Sequence, residues 1–177
     1  MSFIITFLLL TFSFSQTNYA LIFDGDDDRI ELPENITDGL ESFTFSAWFN
    51  AYGNDNLYAN IIQHDAAYYL RYTNSDEDFQ MQFKTDTDSS NSININLPEF
   101  NVYHHIALSW DGESVVFYLD GLEVGSKSVS GTLDGNGLIF LGNWTTSEGF
   151  KGLIDDVKFW DRGLSQEELQ NDFNGSN

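Results

Sequence analysis

Residues 103–121 read YHHIALSWDGESVVFYLDG, and the fold turns on how this stretch is understood. Two runs rich in β-branched and aromatic residues, 103–110 and 114–119, are each followed by Asp-Gly, at Asp111-Gly112 and Asp120-Gly121. Asp and Gly tolerate the positive φ that tight hairpin turns demand, so the stretch reads as antiparallel strands joined by short turns. Working outward, runs of the same kind recur between turn signals at 20–23, 29–32, 43–49, 60–64, 68–72, 79–84, 92–97, 123–129, 138–142 and 153–160. That spacing is the pattern of a sandwich or jelly roll.

Composition agrees. The 177 residues contain 16 Phe, 8 Tyr and 4 Trp with 14 Gly and 2 Pro, a mixture suited to pleated strands and tight turns. Side chains alternate across a strand, so Phe43, Phe45, Ala47 and Phe49 share one face and Thr44, Ser46 and Trp48 the other. The same period puts Phe79, Met81 and Phe83 inside with Gln80, Gln82 and Lys84 outside, and Ile93, Ile95 and Leu97 inside with Asn94 and Asn96 outside. The polar run 86–92 reads as a loop. One short C-terminal helix is expected: Ser165 and Glu168 have capping-box spacing, Leu164, Leu169 and Phe173 can dock it, and Gly175 closes it. The class is therefore all-β, with a single domain expected over residues 20–174.

The first residues, MSFIITFLLLTFSFSQTNYA, carry no charged side chain, and their apolar core is too short to span a bilayer. Ser13 and Ser15 suit cleavage before Gln16, so residues 1–15 read as an export signal, although no Lys or Arg precedes the apolar run. A buried N-terminal strand or a membrane anchor is the alternative. With the signal removed, the expectation is a secreted, periplasmic or cell-surface protein with no membrane insertion. No cysteine is present, which rules out disulfides. A formal charge of −21 repels nucleic acid, so no nucleic-acid partner is expected; it also favours solubility and eases the binding of a divalent cation.

The order of five pieces carries a resemblance: AxxFDG at 20–25, FTFSAWF at 43–49, HHIALSWDG at 104–112, YLDG at 118–121 and FKGLIDDVKFWDRGLS at 150–165. Together they resemble the laminin-G-like, pentraxin-type domains of the concanavalin A-like lectin/glucanase superfamily. Tyr103 stands where such domains usually carry Trp before the paired histidines. The resemblance implies a two-sheet antiparallel jelly-roll β-sandwich, concanavalin A-like, with the first and last strands side by side. It also implies calcium between those strands, held by the Asp of the final I-D-x-V motif, here Asp155, with Asp24 and Asp28 near the opening strand. By alternation Asp155 shares a face with Leu153, Val157 and Phe159, and a buried unpaired carboxylate is costly, so a hard cation would relieve it. Backbone donors to Asp155 are the alternative. The run Asp24-x-Asp26-x-Asp28 is not an EF-hand, because Arg29 stands where that loop needs Gly and Asn35 where it needs Glu.

A polar sheet face is the second candidate site. Arg71, Gln80, Gln82 and His105, with Lys84, Asn94, Asn96 and Ser109, offer donors and acceptors suited to hydroxyl-rich ligands, while Trp48, Tyr69 and Trp144 could stack on sugar rings. An ordinary solvated sheet face is the alternative, with Trp48 structural. Catalysis is not expected. No E-x-D-x-E run of the related glucanases occurs, His64, His104 and His105 lack zinc-binding spacing, and no nucleophile elbow or P-loop is present. The leading expectation is an exported calcium-dependent lectin-like module that binds a polysaccharide or other glycan. The alternatives are an adhesion module for an extracellular protein, a glycoside hydrolase relative, or a piece of a larger surface protein.

Overall fold

A computed structural model of the chain describes residues 20–33, 36–37, 39–53, 58–64, 67–73, 78–88, 91–133, 137–145 and 149–175. The expected signal peptide lies outside these residues. The strands are β1 (Leu21–Asp24), β2 (Ile30–Leu32), β3 (Phe43–Ala51), β4 (Tyr58–His64), β5 (Tyr68–Thr73), β6 (Asp78–Phe83), β7 (Asn91–Asn96), β8 (His104–Trp110), β9 (Ser114–Leu119), β10 (Leu122–Ser128), β11 (Ile139–Leu141) and β12 (Lys151–Trp160). A single helix, α1 (Gln166–Phe173), follows. Two antiparallel sheets of six strands result, in the orders β1-β12-β3-β8-β9-β10 and β2-β11-β4-β5-β6-β7. The first and last strands are neighbours, Leu21 pairing with Ile154 and Asp24 with Lys151.

The core forms where the two sheets face each other. From the first sheet come Phe43, Phe45 and Phe49, and from the second Tyr72, Phe79 and Phe83, all fully buried. Phe49 stacks on Phe79 with ring centroids 5.9 Å apart, and Phe83 lies 5.2 Å from Trp110. Each such side chain contributes about 1.5–3 kcal/mol when fully buried. The Asp120-Gly121 turn between β9 and β10 has φ of 51° and 72°, the paired positive values of a type I′ hairpin.

Burial of β3 extends to its second face. Thr44 and Ser46, expected on the face opposite Phe43 and Phe45, are fully buried because α1 and the segment leading into it cover the outside of the first sheet. Thr44 Oγ1 donates to the Arg162 carbonyl at 2.9 Å and accepts from the Leu164 N–H at 2.9 Å. Ser165 caps the helix in a full capping box with Glu168. Beneath it, Ala107, Tyr118, Leu164 and Leu169 form a second small core.

Two bulges displace the simple alternation. In β12 the register jumps from Asp155↔Trp48 to Lys158↔Ser46, three residues against two, and Asp156 takes φ 47° at the kink. Asp155 consequently sits on the outer face with Leu153, whereas Phe159 reaches the core through Phe45, so the expectation that these residues share a face fails. In β4 the register shifts between Asn60 and Ile62, and both Ile61 and Ile62 are buried. The expected loop over 86–92 also gives way to β7 at Asn91, which pairs with Phe83.

Candidate functional site

Because of the β4 bulge, Asn60 and Gln63 both pair across to polar positions of β5. One row of the second sheet runs Phe140, Gln63, Tyr69, Gln82, Ser92, and the next runs Asn60, Arg71, Gln80, Asn94. These rows alternate with the core rows, so they face away from the first sheet. Arg71 is held on this face from several sides. Its Nε and Nη2 both donate to Gln80 Oε1, at 3.1 and 2.8 Å. Its guanidinium carbon lies 3.8 Å from the Tyr58 ring centroid and 3.9 Å from that of Tyr69. Such cation–π contacts, worth about 0.5–2 kcal/mol each, hold the planar cation between two rings. Burial pushes the Tyr69 hydroxyl up from its ordinary value, against the opposing pull of Arg71, so it stays a neutral donor.

Beside Arg71 opens a cleft of about 230 Å³ lined by Gln63, Tyr69, Gln82, Lys84 and Trp144 among others. Gln63 is only 5% exposed, and its Oε1 has no hydrogen-bond partner. An orphan acceptor of that kind costs about 1–3 kcal/mol unless a ligand or water donates to it. No Asp or Glu lines the cleft among the described residues.

Of the ligand residues expected from sequence, Tyr69, Arg71, Gln80, Gln82 and Trp144 come together here. Trp48 and His105 do not. They lie on the outside of the first sheet under α1, where Trp48 stacks on Phe173 at 5.3 Å and His105 is 1% exposed. His105 Nε2 bonds to Asp172 at 3.1 Å, which also accepts from Ser46 Oγ at 2.6 Å and from Lys158. Ser109 is likewise covered, donating to the Leu164 carbonyl at 2.9 Å. These contacts bury His105 and Ser109 and leave Trp48 partly covered by the helix. Gln63 and Tyr58 were not among the expected site residues. Strict alternation through 60–64 puts Gln63 on the face of Ile61; the sequence signal against it is the pair Ile61-Ile62, which a half-buried strand does not alternate through.

The expected metal set also divides. Asp24 pairs with Lys151, so Asp155 stands four positions further along β12, about 13 Å away at strand spacing. Asp155 instead accepts from the Asp156 N–H at 2.8 Å, within the bulge. The carboxylates of Asp24 and Asp28 meet that of Asp27, one oxygen from each lying within 4.8 Å of the others. The loop is shaped by its own side chains: Asp26 N–H donates to Asp24 Oδ1 at 2.8 Å and Asp24 N–H to Asp28 Oδ2 at 3.0 Å. Asn143 Nδ2 donates to the Asp26 carbonyl at 2.6 Å, and the buried Oδ1 of Asn143 has no partner. Three clustered carboxylates with an orphan amide oxygen next to their loop are a hard, oxygen-rich donor set, which fits calcium.

Residues 24–170 match a laminin-G-type family model described as the concanavalin A-like lectin/glucanases superfamily. No curated protein matches the chain by sequence. Among solved structures, the heptameric SAP-like pentraxin of Limulus polyphemus is similar with a TM-score of 0.66 and 15% identity over 90% of this chain and 83% of that one. Domain 4 of an extracellular GH43 arabinanase from Geobacillus stearothermophilus, solved with arabinotriose, gives a TM-score of 0.66 and 19% identity over 89% of this chain and 77% of that one. The botulinum neurotoxin serotype D ligand-binding domain, solved with N-acetylneuraminic acid, gives a TM-score of 0.70 and 16% identity, covering 90% of this chain and 43% of that one.

Proposed function

The chain belongs to the concanavalin A-like lectin/glucanases superfamily, and from that premise we propose that it is a non-catalytic, exported glycan-binding module whose saccharide lies across the outer face of β4, β5 and β6. The observation that carries this reading is the cleft beside Arg71, where Tyr69 and Trp144 supply apolar ring surface and the buried Oε1 of Gln63 awaits a donor. Sugars offer both complements, since their C–H faces cover aromatic rings while their hydroxyls donate and accept. Support comes from two of the similar structures, whose ligands are arabinotriose and N-acetylneuraminic acid.

Calcium belongs to the same reading, held by Asp24, Asp27 and Asp28 with the Asn143 side-chain oxygen close at hand. When bound it would neutralise the clustered carboxylates and tie the loop after β1 to the segment after β11. A protein partner remains the second reading, favoured by Ile22, which is 73% exposed on edge strand β1.

A glycan array followed by isothermal titration calorimetry tests the main reading. Trp144→Ala and Tyr69→Ala should each weaken the best array ligand by roughly threefold to tenfold, matching about 0.5–1.5 kcal/mol per aromatic contact. Full affinity in both variants, with their thermal midpoints unchanged, would remove the saccharide from this face.

A further inference from the structure

We propose that the cleft selects oligosaccharides that carry carboxylate groups, a uronate-bearing chain in preference to a neutral one; this rests on the glycan-binding reading above. The protein has 28 Asp and Glu against 7 Lys and Arg, so two cations in one cleft are a scarce feature of its surface. Arg29 lies against Glu31, Lys158 against Asp172 and Arg162 against Glu168. Arg71 and Lys84, by contrast, line one cleft, and neither makes an ion pair with any described residue. Other clefts carry acid: Asp88 and Glu113 line one of about 430 Å³, and Asp161 one of about 300 Å³.

Arg71 is also presented in the geometry a carboxylate needs. Gln80 occupies the Nε and Nη2 edge of the guanidinium, the Tyr69 hydroxyl interacts with the same cation, and Nη1 makes no short hydrogen bond to any described residue. The edge formed by Nη1 and the second N–H of Nη2 thus stays available for a two-pronged bond to a carboxylate, the fork at which Arg outperforms Lys. Tyr58 and Tyr69 clamp the plane, so little freedom is lost on binding. Lys84 lies four residues beyond Gln80 on the same chain direction, about 13 Å away at strand spacing, on the far side of the row that holds Gln63, Tyr69 and Gln82. The two cations therefore flank the Gln63 row, and they fit a chain of sugar units that carries acidic groups with its hydroxyls over that row.

The overall charge of −21 does not prevent this. At physiological ionic strength the Debye length is about 8 Å, so distant carboxylates are screened while a half-buried contact is not.

Calorimetry at about 0.15 M salt, the ionic strength at which that screening holds, decides the matter with three probes: a short oligogalacturonate, the same oligosaccharide with its carboxyls reduced to alcohols, and a sulfated neutral oligosaccharide. The expected result is at least tenfold tighter binding of the oligogalacturonate than of either comparison. Lys84→Gln and Arg71→Gln should each narrow that ratio, with circular dichroism establishing that both variants fold. Equal binding of the acidic and reduced forms would overturn the selection while leaving the sheet-face reading intact. Equal binding of the sulfated chain would overturn carboxylate selection in favour of anions in general. If the oligogalacturonate does not bind, or binds Trp144→Ala and Arg71→Gln as tightly as the parent, the proposal falls; should the best array ligand also ignore Trp144→Ala and Tyr69→Ala, the sheet-face reading falls with it.

Discussion

Single side chains divide sharply between the two sheets. Arg71, Gln80 and Gln82 were legible because β5 and β6 alternate without interruption, and period two fixes which way each side chain points. Gln63 and Asp155 were not, because each lies at a bulge, and one extra residue reverses the facing of everything beyond it. His105 and Trp48 had the correct facing, but the cover that α1 puts over them lies 67 residues from His105 and farther still from Trp48 in sequence, beyond the reach of local pattern. At this scale the sharpest prediction concerns Asp172, which is 3% exposed. Burial opposes its charge, but bonds from His105, Lys158 and Ser46 outweigh that and hold its carboxyl well below the usual range. A depressed carboxylate stabilises the fold fully above its unfolded value of about 4, and that contribution is lost as pH falls further, through the native value. Asp172→Asn should therefore cost about 3 kcal/mol near neutral pH, the order expected for breaking a buried pair, and urea denaturation measures it. Below about pH 4 the gap between parent and variant should shrink; a gap constant from pH 7 to pH 2 would mean that the charge of Asp172 does not matter.

Among the elements, α1 was the plainest in the sequence, since its capping box occupies adjacent positions and needs no tertiary partner. What could not be read was its role as the lid of the first sheet. Glu168 ties the cap to Arg162, whose guanidinium holds its carboxyl down to about 2, with the Ser165 amide and hydroxyl adding to the effect. Ser165→Ala should lower global stability by about 1 kcal/mol, the usual cost of an N-cap. Because Phe173 of the same helix stacks on Trp48, the variant should also shift tryptophan emission to the red as the helix frays. A destabilisation without any change in emission would show that the cap and the Trp48 contact are not coupled.

Across the whole molecule, all the strands were foreseeable as segments, but their order was not. Local periodicity marks a strand without naming its neighbour, so nothing in residues 138–142 reveals that β11 slots between β2 and β4. Adjacency of β1 and β12 was expected only through the family resemblance, which shows how little of sheet order is encoded locally. Net charge acts at this scale too. With a charge of −21, the folded chain repels itself, so its melting temperature should rise as NaCl goes from about 0.01 to about 0.5 M. At fixed ionic strength calcium should add a further increase, on the order of 2.7 kcal/mol of stability at a hundredfold excess over Kd, and Asp27→Asn should remove most of it. Equal midpoints with calcium and with chelator would dismiss the ion from the Asp24–Asp28 loop.

The helix on the first sheet has a practical corollary. It places residue 175 behind the molecule, on the side opposite Arg71 and Trp144, so a biotin attached at that end would orient every copy on a sensor chip with its cleft toward the flowing solution. Amine coupling would do the reverse, because it acylates Lys84 at the mouth of the cleft and blunts the very surface being assayed.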